Sequence, residues 1–77
     1  MLNDISIAIN AEDASNLDMA AHKVKGSLES LAAKKAAHIA YELEAMGEEG
    51  NMNHAPDAFA ALSRECERIK DFIVTYK

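Results

Sequence analysis

The sequence predicts an all-α fold, an antiparallel up-down-up-down four-helix bundle, on three observations. The 77 residues are rich in alanine, leucine, glutamate and lysine and hold three glycines and one proline, a composition that favours helices. Apolar residues recur at three- and four-residue spacing in four successive stretches, the period of an amphipathic helix. Little chain lies between those stretches, which sets consecutive helices side by side and antiparallel.

The first helix is expected over residues 2–12, where Leu2, Ile5, Ala8 and Ile9 share a face. The stretch "EDASN" reads as a turn, with Asp13 as N-cap of the second helix. That helix is expected over residues 14–31, with Leu17, Ala20, Ala21, Val24, Leu28 and Leu31 as its apolar stripe. A third stripe, Ala36, Ile39, Ala40, Leu43 and Met46, follows with no glycine or proline between. One helix spanning both would be unusually long for so small a domain, so a break is expected at residues 32–34. "GEEGNMNHA" is the clearest loop, and Pro56 then sits where a first helical turn accepts proline. The last helix runs to the C-terminus with Phe59, Leu62, Cys66, Ile69, Ile73 and Tyr76 as a heptad-like seam.

Length bounds the chain to one domain, residues 1–77. A domain this short buries only about 60% of its unfolded surface, so it packs efficiently or borrows stability from a partner or a larger parent chain. A net charge of −5 and a pI near 5.0 argue against non-specific nucleic-acid binding and against an anionic membrane surface. No apolar run is long enough to cross a membrane, and "MLNDISIAIN" has no signal-peptide pattern. A cytoplasmic location is expected. The single cysteine, Cys66, lies on a core seam and reads as a small core residue, not a reactive thiol. The methionines, Met46 and Met52 among them, read as gap-filling core or loop residues.

Chemistry concentrates in the second helix. With about 100° per residue and the Leu17/Val24/Leu28 stripe inward, His22 points roughly 140° from the core, Gly26 roughly 180°, and Lys25 sits at a flank near 80°. Asp18 and Glu29 share the outer side. Glycine inside a helix costs about 1 kcal/mol relative to alanine, and on the solvent face it contributes nothing to the core. Its benefit then lies in letting another molecule approach the exposed imidazole. That imidazole is a competent nucleophile toward phosphorus, and Lys25 is placed to offset phosphoryl charge.

"His22-Lys23-Val24-Lys25-Gly26-Ser27" resembles the signature of histidine-containing phosphotransfer (HPt) domains, H-x-x-K-G followed by a small residue. The preceding "AEDASNLDMAAH" and the later "Tyr41-Glu42-Leu43-Glu44" are also similar to that family, and the resemblance spans about residues 2–72. It implies a four-helix bundle with His22 as phosphoacceptor. It further implies Lys25 stabilising phosphoryl charge, Gly26 leaving room for a docking receiver domain, Glu44 orienting the imidazole and Lys23 at the rim. Two departures stand out: Leu31-Ala32 replaces a common leucine-glycine pair, and the N-terminus is short. The chain is either a module excised from a larger hybrid sensor kinase or a compact stand-alone carrier.

The implied reaction is reversible phosphoryl transfer between receiver-domain aspartates and His22 in a two-component phosphorelay. The partners expected are response-regulator receiver domains and a sensor histidine kinase, with no nucleic acid and no direct membrane contact. The glycines, Gly26, Gly47 and Gly50, form no nucleotide-binding loop, and no acidic cluster suits magnesium. No intrinsic cofactor is expected; the receiver brings Mg2+, and the chain reads as a phosphocarrier, not an enzyme. A metal-binding bundle built on His38 and Glu42 lacks ligands from other helices, so no metal site is expected and His38 and His54 read as surface residues. A structural helical interaction module, the remaining alternative, accounts for the heptads but not for Gly26 beside His22.

Overall fold

Four helices, α1 (Leu2–Asn10), α2 (Ala14–Ser30), α3 (Lys34–Glu49) and α4 (Ala55–Tyr76), make up the computed structural model, which describes residues 2–76 and the side chains of residues 2–68. No strand occurs among the described residues. Each of α1 and α3 packs against both α2 and α4, and among the described residues nothing packs across the diagonals. Helices adjacent in sequence are thus adjacent in space, in agreement with an antiparallel up-down order. The most extensive pairing is α2 with α3. No described helix is long and apolar enough to cross a membrane.

The predicted stripes meet in the middle. Among the described residues, Ile5, Leu17, Val24, Leu28, Leu43 and Leu62 are the largest fully buried side chains, and no polar side chain is buried with them. Each contributes about 1.5–3 kcal/mol by leaving water. Asp13 caps α2 as expected: its carboxylate accepts from the Asn16 backbone N–H at 3.2 Å and from Asn16 Nδ2 at 2.6 Å. Cys66 packs against the core, and burial, with Glu65 adding to it, pushes its thiol above the ordinary 9.0. That environment suits an inert thiol. Met46 and Met52 also pack against the core. The seam positions Ile69, Ile73 and Tyr76 lie outside the described side chains.

Three sequence expectations are corrected. First, α1 and α2 stop earlier than expected, at Asn10 and Ser30. Glu12 and Ala32 take positive φ values of 53° and 58°, and the following N–H groups reach back five residues, Asp13 to the Ala8 carbonyl and Ala33 to the Leu28 carbonyl, both at 2.9 Å. This is the left-handed helix-ending motif in which glycine is usual. Leu31, expected on the apolar stripe, is therefore swung out and 56% exposed. Second, α3 continues to Glu49, so Gly47 lies within its last turn and is buried; the loop begins only at Gly50, whose φ of 73° ends α3 in the same way. A Cβ on Gly47 would lie 2.6 Å from the Asp18 backbone nitrogen and 2.7 Å from the Ala14 carbonyl oxygen. Gly47 is what lets the α3 backbone touch that of α2. Third, Met19 is not gap-filling core or loop: it stands on the outer face of α2, 58% exposed.

Ala32 is the position at which the sequence departs from the leucine-glycine pattern, and it still adopts the left-handed conformation. That conformation costs a residue with a Cβ about 1 kcal/mol, and Ala32 is exposed with no packing to lose. Ala32→Gly is expected to raise stability by up to about 1 kcal/mol despite the added freedom of the unfolded chain, read as a higher melting temperature. A lower melting temperature would mean that Ala32 is not strained.

Candidate functional site

Two helices build the site. His22, Lys25 and Gly26 lie on consecutive turns of α2, and Glu44 faces them from α3 across the closest helix pairing in the bundle. The burial of Ala21 and Val24 on one side of α2 fixes His22 on the other. In the same way, burial of Ala40, Leu43 and Gly47 turns Glu44 along the edge of α3 that borders α2.

Glu44 is the hub. His22 Nδ1 lies 3.0 Å from Glu44 Oε2, and Lys25 Nζ lies 2.9 Å from Oε1. The carboxylate is largely covered, with 16% of its side chain exposed, against 22% for Lys25 and 68% for His22. Oε1 itself is shut off from solvent and meets no donor in good hydrogen-bond geometry, so the Lys25 ammonium is what compensates it. Lys25 holds the Glu44 carboxyl below its ordinary 4.5, with His22 adding to the effect against an opposing cost of burial. Reciprocally, Glu44 raises the Lys25 ammonium above 10.5. The Lys25 ammonium also sits 5.3 Å from the centre of the Tyr41 ring, within cation–π range.

An ionised carboxylate only accepts hydrogen bonds, so the favourable tautomer of neutral His22 carries its proton on Nδ1 and donates it to Glu44. The lone pair then resides on Nε2, the nitrogen without a protein partner among the described residues. Beside it is a hollow of about 370 Å³ lined by Asp18, Met19, His22, Lys23, Glu44 and Glu48. One turn along α2, nothing lies within 4 Å of where a Cβ on Gly26 would be.

The structure thus brings together His22, Lys25, Glu44 and Lys23, with Gly26 as open space next to them. Sequence reasoning assigned no site position to Tyr41, Met19 or Glu48. Tyr41 and Met19 each stand three residues before a site residue on the same helix, and that spacing is the signal that could have found them. His38 and His54 are on the surface; His38 Nε2 pairs with Glu42 at 3.6 Å, and His38 lines an α2–α3 furrow together with Lys25 and Tyr41.

The clamp has a pH signature. Because the folded Glu44 pKa is depressed, its contribution to stability is present above pH 4.5 and fades as acid protonates the carboxylate below that value. Because the folded Lys25 pKa is raised, the ammonium's contribution is complete below pH 10.5 and fades only as pH climbs past the raised value. In an NMR titration of carboxyl carbons, Glu44 should titrate below 4.5, and Lys25→Ala should move its midpoint upward. An unchanged midpoint would mean that Lys25 does not hold Glu44 in solution.

Comparison with known families identifies one matching model, described as Hpt domain, over residues 1–72. Neither the curated proteins nor the solved structures yield a significant match.

Proposed function

The chain belongs to the Hpt domain family, and from that premise we propose that it carries a phosphoryl group on His22 between receiver-domain aspartates in a two-component phosphorelay. The observation that carries this reading is an exposed imidazole whose Nδ1 is tied to a carboxylate, leaving Nε2 as the nucleophile.

In the forward step the Nε2 lone pair attacks the phosphorus of an aspartyl phosphate on the receiver. The N–P bond forms, the P–O bond to the aspartyl oxygen breaks, and the aspartate leaves as a carboxylate. The ring keeps its Nδ1 proton and becomes a phosphoimidazolium, whose positive charge falls on the atom that Glu44 contacts. In the return step an aspartate oxygen of a second receiver attacks phosphorus, the N–P bond breaks and neutral His22 is regenerated. No proton needs to enter or leave the ring in either direction.

The remaining residues act by position. Lys25 brings positive charge within one turn of the moving phosphoryl group, which suits a reaction governed by positioning and charge neutralisation. Glu44 fixes the tautomer. Gly26 leaves the space through which the receiver approaches, and Lys23 lines the rim of the hollow. The magnesium that phosphoryl transfer uses comes with the receiver's own acidic site. The chain is a carrier, with the receiver supplying the aspartate.

The test is incubation with a panel of phosphorylated receiver domains, followed by acid-lability analysis of the labelled chain. Lys25→Ala should slow transfer about tenfold, the scale of one charge-assisted contact, or change the lifetime of phospho-His22. Failure of every receiver to label the chain would overturn the reading.

A further inference from the structure

On a different face from His22, α3 and α4 flank an open groove of about 710 Å³ lined by Lys34, Lys35, His38, Arg64, Glu65 and Arg68 over a floor of Ile39 and Ala61. Four of the eight Lys and Arg residues of a chain with net charge −5 are gathered here. Among the described residues one carboxylate, Glu65, lines the groove, and it pairs with Arg68 at 3.1 Å. His38, shared with the neighbouring α2–α3 furrow, is held from its own helix by Glu42.

Helix stability does not explain this gathering. Lys34 and Lys35 occupy the first turn of α3, which has no acidic residue and no side-chain cap at Ala33. Cations there oppose the helix macrodipole, whose positive end is at the N-terminus. The two lysines instead add their charge to that end and face a second cationic ridge, Arg64 and Arg68, set four residues apart on one side of α4. The stems of these side chains extend the apolar floor while their charged heads stay at the edges.

We propose that the α3–α4 groove docks an acidic amphipathic helix of a protein partner, its apolar stripe on Ile39 and Ala61 and its carboxylates against the two cationic ridges. Helix-in-groove recognition needs an apolar trough with complementary rims, and both are present. A nucleic-acid backbone matches the rims but has nothing apolar to lay on the floor, and the acidic remainder of the chain repels it. An anionic lipid surface would also meet the acidic remainder of a chain with net charge −5. The groove adjoins the Lys25 furrow at Lys34 and His38 but shares no lining residue with the His22 hollow, so a partner confined to the groove leaves His22 open. The groove therefore serves to tether the carrier, and the inference stands independently of phosphotransfer.

The probe is a labelled 20-residue helical peptide with leucines at i, i+3 and i+7 flanked by glutamates, titrated against the 77-residue chain by fluorescence anisotropy. Micromolar binding is expected, weakened at least tenfold by the double substitution Arg64→Glu/Arg68→Glu, with circular dichroism showing that the variant retains its helices. NMR shift changes are expected at Lys35, Ile39, Ala61 and Arg64. A peptide with lysines in place of glutamates binding equally well would overturn the proposal. So would shift changes centred on His22, equal binding by the double variant, or tighter binding to anionic vesicles or to an oligonucleotide than to the peptide. The double variant should accept phosphate on His22 at the wild-type rate, so a failure of groove binding and a failure of phosphotransfer are read separately.

Discussion

Substituting His22→Gln is expected to abolish acid-labile, alkali-stable phosphorylation by receiver domains while leaving the helices intact. Glutamine retains a polar side chain of similar reach but has no lone-pair nitrogen that can form an N–P bond, so loss should be complete. Stability should change little, because the His22 side chain is 68% exposed and its one described polar contact is with Glu44. An exposed pair of this kind contributes at most about 1 kcal/mol, and Glu44 keeps Lys25. His38→Gln and His54→Gln serve as controls, since both histidines are exposed and neither pairs with Glu44. Labelling that survives His22→Gln and disappears with either control would move the acceptor elsewhere.

The second large effect concerns folding. Gly47→Ala places a methyl group within 2.6 Å of the Asp18 backbone nitrogen, 2.7 Å of the Ala14 carbonyl oxygen and 2.8 Å of the Asp18 Cα. All three are backbone atoms, so no side chain can rotate away; α2 and α3 must separate. Overpacking typically costs about 1–3 kcal/mol, and a contact this short against rigid backbone belongs at or above the upper end. A loss of about 3 kcal/mol corresponds to a melting temperature lower by roughly 12–24 °C in a domain of this size. Gly26→Ala should act in the opposite direction and stabilise by up to about 1 kcal/mol, because that Cβ enters open space. Two glycine-to-alanine changes on paired helices should thus shift melting in opposite directions. A neutral Gly47→Ala would show that the helices can part without loss.

Much of this was legible in the sequence because burial follows period. The α2 stripe Leu17, Ala21, Val24 and Leu28 and the α3 stripe Ala36, Ala40 and Leu43 are buried as their spacing requires. The same periodicity places His22 and Gly26 outward and Lys25 at the flank. What escaped were positions at which chain direction or a neighbouring backbone decides. Leu31 fits the α2 stripe by period, yet Ala32 turns the chain before the stripe can use it. Gly47 beside Glu48, Glu49 and Gly50 carries every local mark of a loop, and its actual reason, the backbone of α2, is a contact between residues far apart in sequence. The Glu44 position was reached only through resemblance, because nothing local to "YELEA" says that its carboxylate meets an imidazole on another helix. Tyr41 under the Lys25 ammonium has the same explanation.

The uneven packing of the four helices bears on when the site exists. With 9 residues, α1 is the shortest helix, and its contact with α4 is the sparsest between neighbours, whereas α2 and α3 are joined along their length. Local opening begins where few buried contacts must be broken, so the seam between α1 and α4 is the one that parts first. Parting of that seam leaves His22, Lys25 and Glu44 on the α2–α3 pair, which stays closed. Amide protons around His22 and Glu44 are then expected to exchange with solvent more slowly than those facing the α1–α4 seam. Acceptor chemistry persists through excursions that expose one side of the core, and its lifetime is governed by the α2–α3 hairpin alone.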